Sequence, residues 1–185
     1  DGEVLYVAES QQRSWWPWDL SPFSGIPDAQ TTTSLVHLYR TDPGVPSAQA
    51  IAQLELSSPE FAIGGLYLNA SDTAKQLIAV GSTHSNYYWE AFASDYYWRE
   101  GRTLVQSWDV TDAQNPAAGW SLELDGTLLA SRRIDRTLYL VTRYSPVIEG
   151  IVAYPQTVAE VDSNRALIEQ TPVSSLLPDV RRDNG

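Results

Sequence analysis

An all-β, antiparallel fold is predicted by three features of this 185-residue chain. Short runs rich in Val, Leu, Ile, Tyr and Thr alternate apolar and polar side chains, as half-buried antiparallel strands do. Clusters of Pro, Gly, Asp and Asn between them suit short connections. The order of the runs then repeats along the chain, which groups the strands into units.

The strand candidates follow in sequence. "EVLYVAES" comes first, then "SLVHLYRTD", whose "TDPGVPS" continuation is turn chemistry leading into "AIAQLELS". "IGGLYLNAS" and "QLIAVGST" come next. After a long segment follow "TLVQSWDV", the turn "TDAQNPAAG" and "GWSLELDG". "TLLASRRI" and "TLYLVTRYS" close the series.

The repeat is read from the apolar starts and ends of these runs. Leu35 and Leu104 open equivalent strands 69 positions apart, and Leu54 and Leu122 sit 68 apart in "QLEL" and "SLEL". A third element recurs at Leu5 ("LYVA"), Leu77 ("LIAV") and Leu138 ("LYLV"). Residues 35–56 and 104–124 are therefore expected to be equivalent hairpins. About four strands per copy is the content of a propeller-type blade, and the chain holds about two to three of them. The period exceeds that of common blades because a long segment follows each "LYVA"-type strand. Those segments carry the aromatic clusters.

Residues 1–185 are expected to form one such domain or a portion of one, with 156–185 as a helix and loop extension packed on it. In "SNRALIEQTPVSSLLPDVRRDNG" a cap at Ser163 or Asn164 opens a short helix that stops before Pro172. Leu176, Leu177 and Pro178 are expected to dock on the β body.

Composition narrows the function. Hydrophobic residues make up 43% of the chain, enough for a substantial core. The formal net charge of −11 with Lys75 as the one lysine argues against nucleic acid, which needs clustered cations for phosphate. Arg132, Arg133, Arg136 and Arg143 alternate with apolar residues, as on a solvated strand face. The absence of cysteine excludes disulfides, thiolate metal sites and cysteine nucleophiles. No apolar run approaches the length needed to cross a bilayer. The first residue is not Met and the chain opens within a strand, as a mature or excised segment would.

"LYVAES", a Trp-rich loop and "TTSLVHLYRTD", with "SWDVTDAQNP", "LELDGTLLASRRIDRTLYLVTRYSP" and "SSLLPDVR", resemble the bacterial secreted proteins that carry a C-terminal β-propeller domain. The likeness covers most of the chain in order, and "SRRI…LYLVTRYSP" is its most specific part. It implies an exported or envelope-associated protein built on a propeller, and it implies no catalytic activity. A whole propeller of this kind is much longer, so either the chain is an excised portion or another copy completes it. Uncovered sheet edges and faces then make self-association an expectation.

Two segments hold the candidate site. "RSWWPWDLSPF" supplies Trp15, Trp16 and Trp18, and "SNYYWEAFASDYYWREG" supplies seven large aromatics. Trp and Tyr combine rigid contact area with a polar handle, which suits recognition surfaces; packed inward, the same rings would cover the blade ends. Trp16, Trp18, Tyr88, Trp89, Tyr97 and Trp98 are the expected binding residues, for a protein or a glycan. The two segments occupy equivalent places in successive repeats, so they are expected to emerge on one face. The expected function is that of a non-catalytic binding or scaffolding module outside the cytoplasm, with no cofactor.

The enzymatic alternative is a glycan-active hydrolase that pairs Glu90 and Asp95, with Glu100 nearby, beside sugar-stacking rings. The two histidines lack a nucleophile context: His37 lies in a strand and His84 among serines. Asp109, Asp112 and Asn115 alternate as calcium ligands do, but "DVTDAQNP" lacks the Gly and Glu of a calcium loop, and Asp and Asn build turns by themselves. "NAS" at Asn69 matches a glycosylation acceptor, a pattern common by chance.

Overall fold

The computed structural model describes residues 3–9, 34–42, 44–58, 61–71, 73–83 and 101–183. Among the described residues ten strands are present: β1 (Val4–Glu9), β2 (Leu35–Asp42), β3 (Val45–Glu55), β4 (Phe61–Ala70), β5 (Lys75–Thr83), β6 (Arg102–Asp109), β7 (Ala117–Asp125), β8 (Thr127–Ile134), β9 (Thr137–Arg143) and β10 (Val180–Asp183). A helix, α1 (Val158–Gln170), and a 3-10 turn at Val173–Leu176 precede β10. All nine strand candidates are strands.

Three antiparallel sheets succeed one another along the chain. β1-β2-β3 forms the first, β4 to β7 with β10 added outside β7 the second, and β8-β9 the third. They are called blades 1, 2 and 3 below. Among the described residues no helix is long and apolar enough to cross a membrane.

The repeat extends to the level of single residue pairs. Leu35 faces Glu55 and Val36 faces Leu54 in blade 1, as Leu104 faces Glu123 and Val105 faces Leu122 in blade 2. Leu5 faces Tyr39 as Leu77 faces Trp108. The irregularities recur as well. The β2–β3 register shifts between Leu38 and Tyr39, and the β6–β7 register between Gln106 and Trp108. Likewise β4–β5 shifts between Ile63 and Gly65, and β8–β9 between Leu128 and Ala130. Residues 35–56 and 104–124 are thus equivalent hairpins, down to their bulges.

At the bulge of blade 2, Gly119 and Trp120 on β7 oppose the single residue Ser107 on β6. The extra residue breaks the backbone ladder, and a side chain repairs it. Ser107 Oγ donates to the Trp120 carbonyl and accepts from the Trp120 N–H, each at 3.0 Å. A Cβ on residue 119 would lie 2.6 Å from that hydroxyl, so only glycine fits there.

Alternation gives each blade two faces, because residues paired across antiparallel strands project to the same side. The core lies between blades 1 and 2. Val36, Leu38 and Leu54 on the far side of blade 1 meet Leu77, Ala79, Leu104 and Trp108 on the near side of blade 2. Burying one such side chain contributes about 1.5–3 kcal/mol. The opposite face of blade 2 presents Val80 and Val105, both buried, towards blade 3. There the Tyr67 hydroxyl donates to Ser131 Oγ at 2.6 Å. Arg133 also crosses, donating to the Leu68 carbonyl and to Asn69 Oδ1.

The C-terminal region differs from the sequence expectation in two respects. The helix begins six residues before Ser163, at a Thr157 cap that forms a reciprocal capping box with Glu160. Asn164 instead holds the preceding loop. Its Oδ1 accepts from the Val152 N–H at 2.9 Å and its Nδ2 donates to the Val152 carbonyl at 2.8 Å. The helix stops at Gln170, before Pro172 as expected. Of the trio expected to dock, Leu176 is half-buried, whereas Leu177 is 60% exposed and Pro178 is exposed. The neighbouring strand β10 takes over the attachment through its backbone pairing with β7, an interaction that needs no apolar side chain.

Candidate functional site

Each sheet has two ends, and the connections divide between them. At one end lie the short hairpin turns, closing at the pairs Asp42–Val45, Ala70–Lys75, Asp109–Ala117 and Ile134–Thr137. At the other end lie the roots of the long segments 10–33, 84–100 and 144–157.

The roots can be followed from blade to blade. At the end of blade 1 the Leu56 N–H donates to the Ser34 carbonyl at 3.3 Å, which places the end of β3 beside the start of β2. The next residue, Ser57, donates its N–H to Gln106 Oε1 at 2.8 Å and so pins this link to blade 2. Four residues on, Phe61 pairs with Thr83, where β5 ends. Thr83 Oγ1 accepts from the Arg102 N–H at 2.9 Å, tying together the two roots of segment 84–100. The Arg102 guanidinium sits 5.6 Å from the centre of the Phe61 ring, a cation–π contact.

The same end continues into blade 3. Gly126, between β7 and β8, donates to the Gly101 carbonyl at 2.6 Å, and its own carbonyl accepts from Thr103 Oγ1 at 2.7 Å. Thr127 then pairs with Arg143, the last residue of β9 and the root of segment 144–157. Three long segments therefore leave the blades from one face.

An ion network lies under the middle root. Glu123 Oε1 accepts from Arg102 Nη1 at 2.9 Å and from Arg181 Nη1 at 3.2 Å. Arg181 Nη2 also approaches Asp125 Oδ1 at 3.7 Å. Its partly exposed members make it an orienting device more than a source of stability. It fixes β10 against β7 and holds the Arg102 side chain across the rim.

Equivalent residue pairs, recurring bulges and a shared rim describe consecutive blades of one repeating fold. The family model for the β-propeller domain matches residues 1–185. The chain belongs to the β-propeller domain family. No curated protein and no solved structure matches it.

Of the expected binding residues in this propeller, Trp16, Trp18, Tyr88, Trp89, Tyr97 and Trp98 all lie outside the described residues, as do Glu90, Asp95, Glu100 and His84. Only the roots of their segments are placed. His37 is placed, on β2, with Nε2 2.8 Å from Glu9 Oε2 and its ring 6.2 Å from that of Tyr39. Its partners make it part of a blade face.

The remaining polar candidates serve the backbone. Asp109 Oδ1 accepts from the Thr111 N–H at 2.9 Å. Asp112 accepts from the Gln114 N–H at 3.0 Å and from Asn115 Nδ2 at 2.9 Å. These bonds hold both carboxyls below the usual aspartate range: Thr111 is the main cause for Asp109, and the Asn115 side chain for Asp112. "DVTDAQNP" is a turn that closes on itself. A cavity of about 630 Å³ opens beside it at the turn end, with Asn69, Lys75, Gln76, Asp109, Arg133 and Arg136 among its lining residues. Of its lining cations, Arg133 is committed to the Leu68 and Asp135 carbonyls and to Asn69. Arg133 is therefore a latch between blades 2 and 3, a role hidden in the sequence within a basic run.

Proposed function

We propose that this β-propeller domain is a non-catalytic binding or scaffolding module of an exported bacterial protein. It recognises a protein or a glycan outside the cytoplasm through Trp16, Trp18, Tyr88, Trp89, Tyr97 and Trp98. The observation that carries this reading is the common face from which segments 10–33 and 84–100 depart, one from each of two neighbouring blades. Rings borne on both segments would pool into one patch, and each ring covered by a partner removes about 150–250 Å² from water. Loops carried on a rigid β scaffold are a frequent location of binding residues. The likeness of "LYVAES", "SRRI…LYLVTRYSP" and "SSLLPDVR" to secreted bacterial proteins is what supports export in this reading.

Tryptophan fluorescence tests the surface role directly. Trp108, 4% exposed, supplies an internal reference that a neutral quencher such as acrylamide reaches poorly. The emission of the whole chain should be strongly quenched, and the accessible fraction should fall in a Trp16→Ala/Trp18→Ala variant whose thermal transition is unchanged. Blue-shifted, unquenchable emission, or loss of folding in that variant, would show that the rings are core. A peptide and glycan array with the same variant then separates the two partner classes.

A further inference from the structure

The ion network beneath segment 84–100 spans three strands, and the repeat sets it apart from blade 1. Glu123 on β7 has Leu104 of β6 opposite it on one side and Arg181 of β10 on the other, and Asp125 faces Arg102. Residues paired across antiparallel strands project to the same side, so both carboxylates and both guanidiniums share one face. In blade 1 the place of Glu123 is held by Glu55, again opposite the leucine that opens the strand. Two positions before that leucine the sequence has Thr33 where blade 2 has Arg102. Arg102 belongs to the root and to the network at once: its N–H donates to Thr83 Oγ1, which ties the two roots together, and its guanidinium lies over the Phe61 ring. Arg181 belongs to β10, whose four residues are all exposed and which pairs with β7 alone among the described strands. An element so attached can open without disturbing the core.

On the reading of segment 84–100 as a recognition segment, we propose that β10 is a strap that sets how firmly this segment is held. Glu123 is the carboxylate shared between strap and root, accepting from Arg181 and Arg102 through the same oxygen. With β10 docked, Arg181 offsets Glu123 and approaches Asp125, and Arg102 bridges Glu123 and the Phe61 ring. With β10 undocked, Glu123 and Asp125 keep Arg102 as their common cation among the described residues. Asp125 also loses the Asp179 N–H that its Oδ2 accepts at 2.9 Å, which leaves it in need of a new donor. Arg102 is then drawn towards Asp125, its register partner, and away from Phe61, and the Thr83 bond on its own backbone loosens. Whatever displaces the strap loosens the segment, and whatever orders the segment tightens the strap, because coupling between two sites is reciprocal.

Hydrogen exchange at the Arg102 amide, followed by nuclear magnetic resonance in the full 185-residue chain, tests the coupling. Arg181→Ala should speed this exchange by about two- to fivefold, the range that partly exposed ion pairs supply, and Arg181→Lys should recover part of the loss. Glu123→Gln should speed it as well. Adding Arg181→Ala to Glu123→Gln should change little more, because both act through one carboxylate. Exchange at the Leu56 amide, which closes the corresponding end of blade 1 on the Ser34 carbonyl, should stay unchanged and so exclude general loosening. An Arg102 amide indifferent to Arg181→Ala would overturn the proposal, as would additive effects in the double variant or equal acceleration at Leu56. Acrylamide quenching decides the recognition reading separately: rings beyond the quencher's reach would remove that reading, while a measured coupling between β10 and the root would stand.

Discussion

The Tyr67 hydroxyl donates to Ser131 Oγ at 2.6 Å, and this bond joins residues 64 positions apart on facing sheets. β4 belongs to blade 2 and β8 to blade 3, so the pair reports directly on blade packing. Tyr67→Phe and Ser131→Ala should each lower unfolding free energy by about 1 kcal/mol. The double variant should cost about the same as either single one, because both remove one shared bond. Urea titration of the four proteins gives the coupling. Additive losses would mean that the two side chains act independently.

Ser107 carries a larger penalty. It is fully buried, and its hydroxyl serves both backbone groups of Trp120 at the bulge. Ser107→Ala would leave the partly buried N–H and carbonyl of Trp120 without that partner, a loss of about 1–3 kcal/mol. Thermal unfolding measures the loss. Amide exchange at Trp120 should accelerate in the same variant, which separates a local fault at the bulge from general loosening.

Gly126 turns the chain from blade 2 into blade 3 with φ at +108°, and a Cβ there would lie 3.0 Å from the Arg143 carbonyl oxygen. Gly126→Ala should therefore destabilise by about 1–3 kcal/mol. Gly64 is the control. A Cβ there meets nothing closer than 3.5 Å, and the equivalent bulge position in blade 3 is already a leucine, Leu129. Gly64→Ala should stay within about 0.5 kcal/mol of wild type.

The start of α1 should respond to acid. Glu160 Oε2 accepts from the Gln156 N–H at 2.7 Å and from the Thr157 N–H at 2.9 Å, and these bonds, Gln156 first, hold its carboxyl below the usual glutamate range. A depressed value in the folded state means stabilisation that is complete above the unfolded value and lost as pH falls through the folded one. The Gln156 and Thr157 amides should thus stay protected at neutral pH and lose protection only in acid below the ordinary glutamate range. Glu160→Gln keeps an acceptor at this position, so protection should persist while its pH dependence disappears. Nuclear magnetic resonance of the two amides at a series of pH values is the measurement.

The strands are legible in the sequence because alternation and turn chemistry are local, and each of the nine runs carries both. The blade equivalence is legible because Leu35 and Leu104, and Leu54 and Leu122, are large apolar residues at corresponding positions. What escapes is short or polar. β10 is four residues of "VRRD", held by backbone pairing and by Arg181 on Glu123, and neither leaves an apolar pattern. The helix start is hidden by a choice between caps: "SNRAL" looks like a beginning, yet "TVAE" supplies the reciprocal Thr157–Glu160 bonds. Arg133 resembles a solvated cation in the sequence because its acceptors on blade 2 lie 64 and 65 positions away. Of the candidate site, sequence order foretells that the long segments share one end of the blades. The rings themselves lie outside the described residues.

The strand laid along β7 has a bearing on how this protein fails. β7, "AAGWSLELD", would otherwise turn a nine-residue row of amides and carbonyls outward, a template on which foreign strands can grow into cross-β fibres. β10 takes part of that row and substitutes an outer margin of four residues, Val180 to Asp183, three of them charged. Amyloid nucleation at this margin requires β10 to peel away first. Solubility on storage should therefore depend on residues Val180–Asp183 more than on the apolar blades they border.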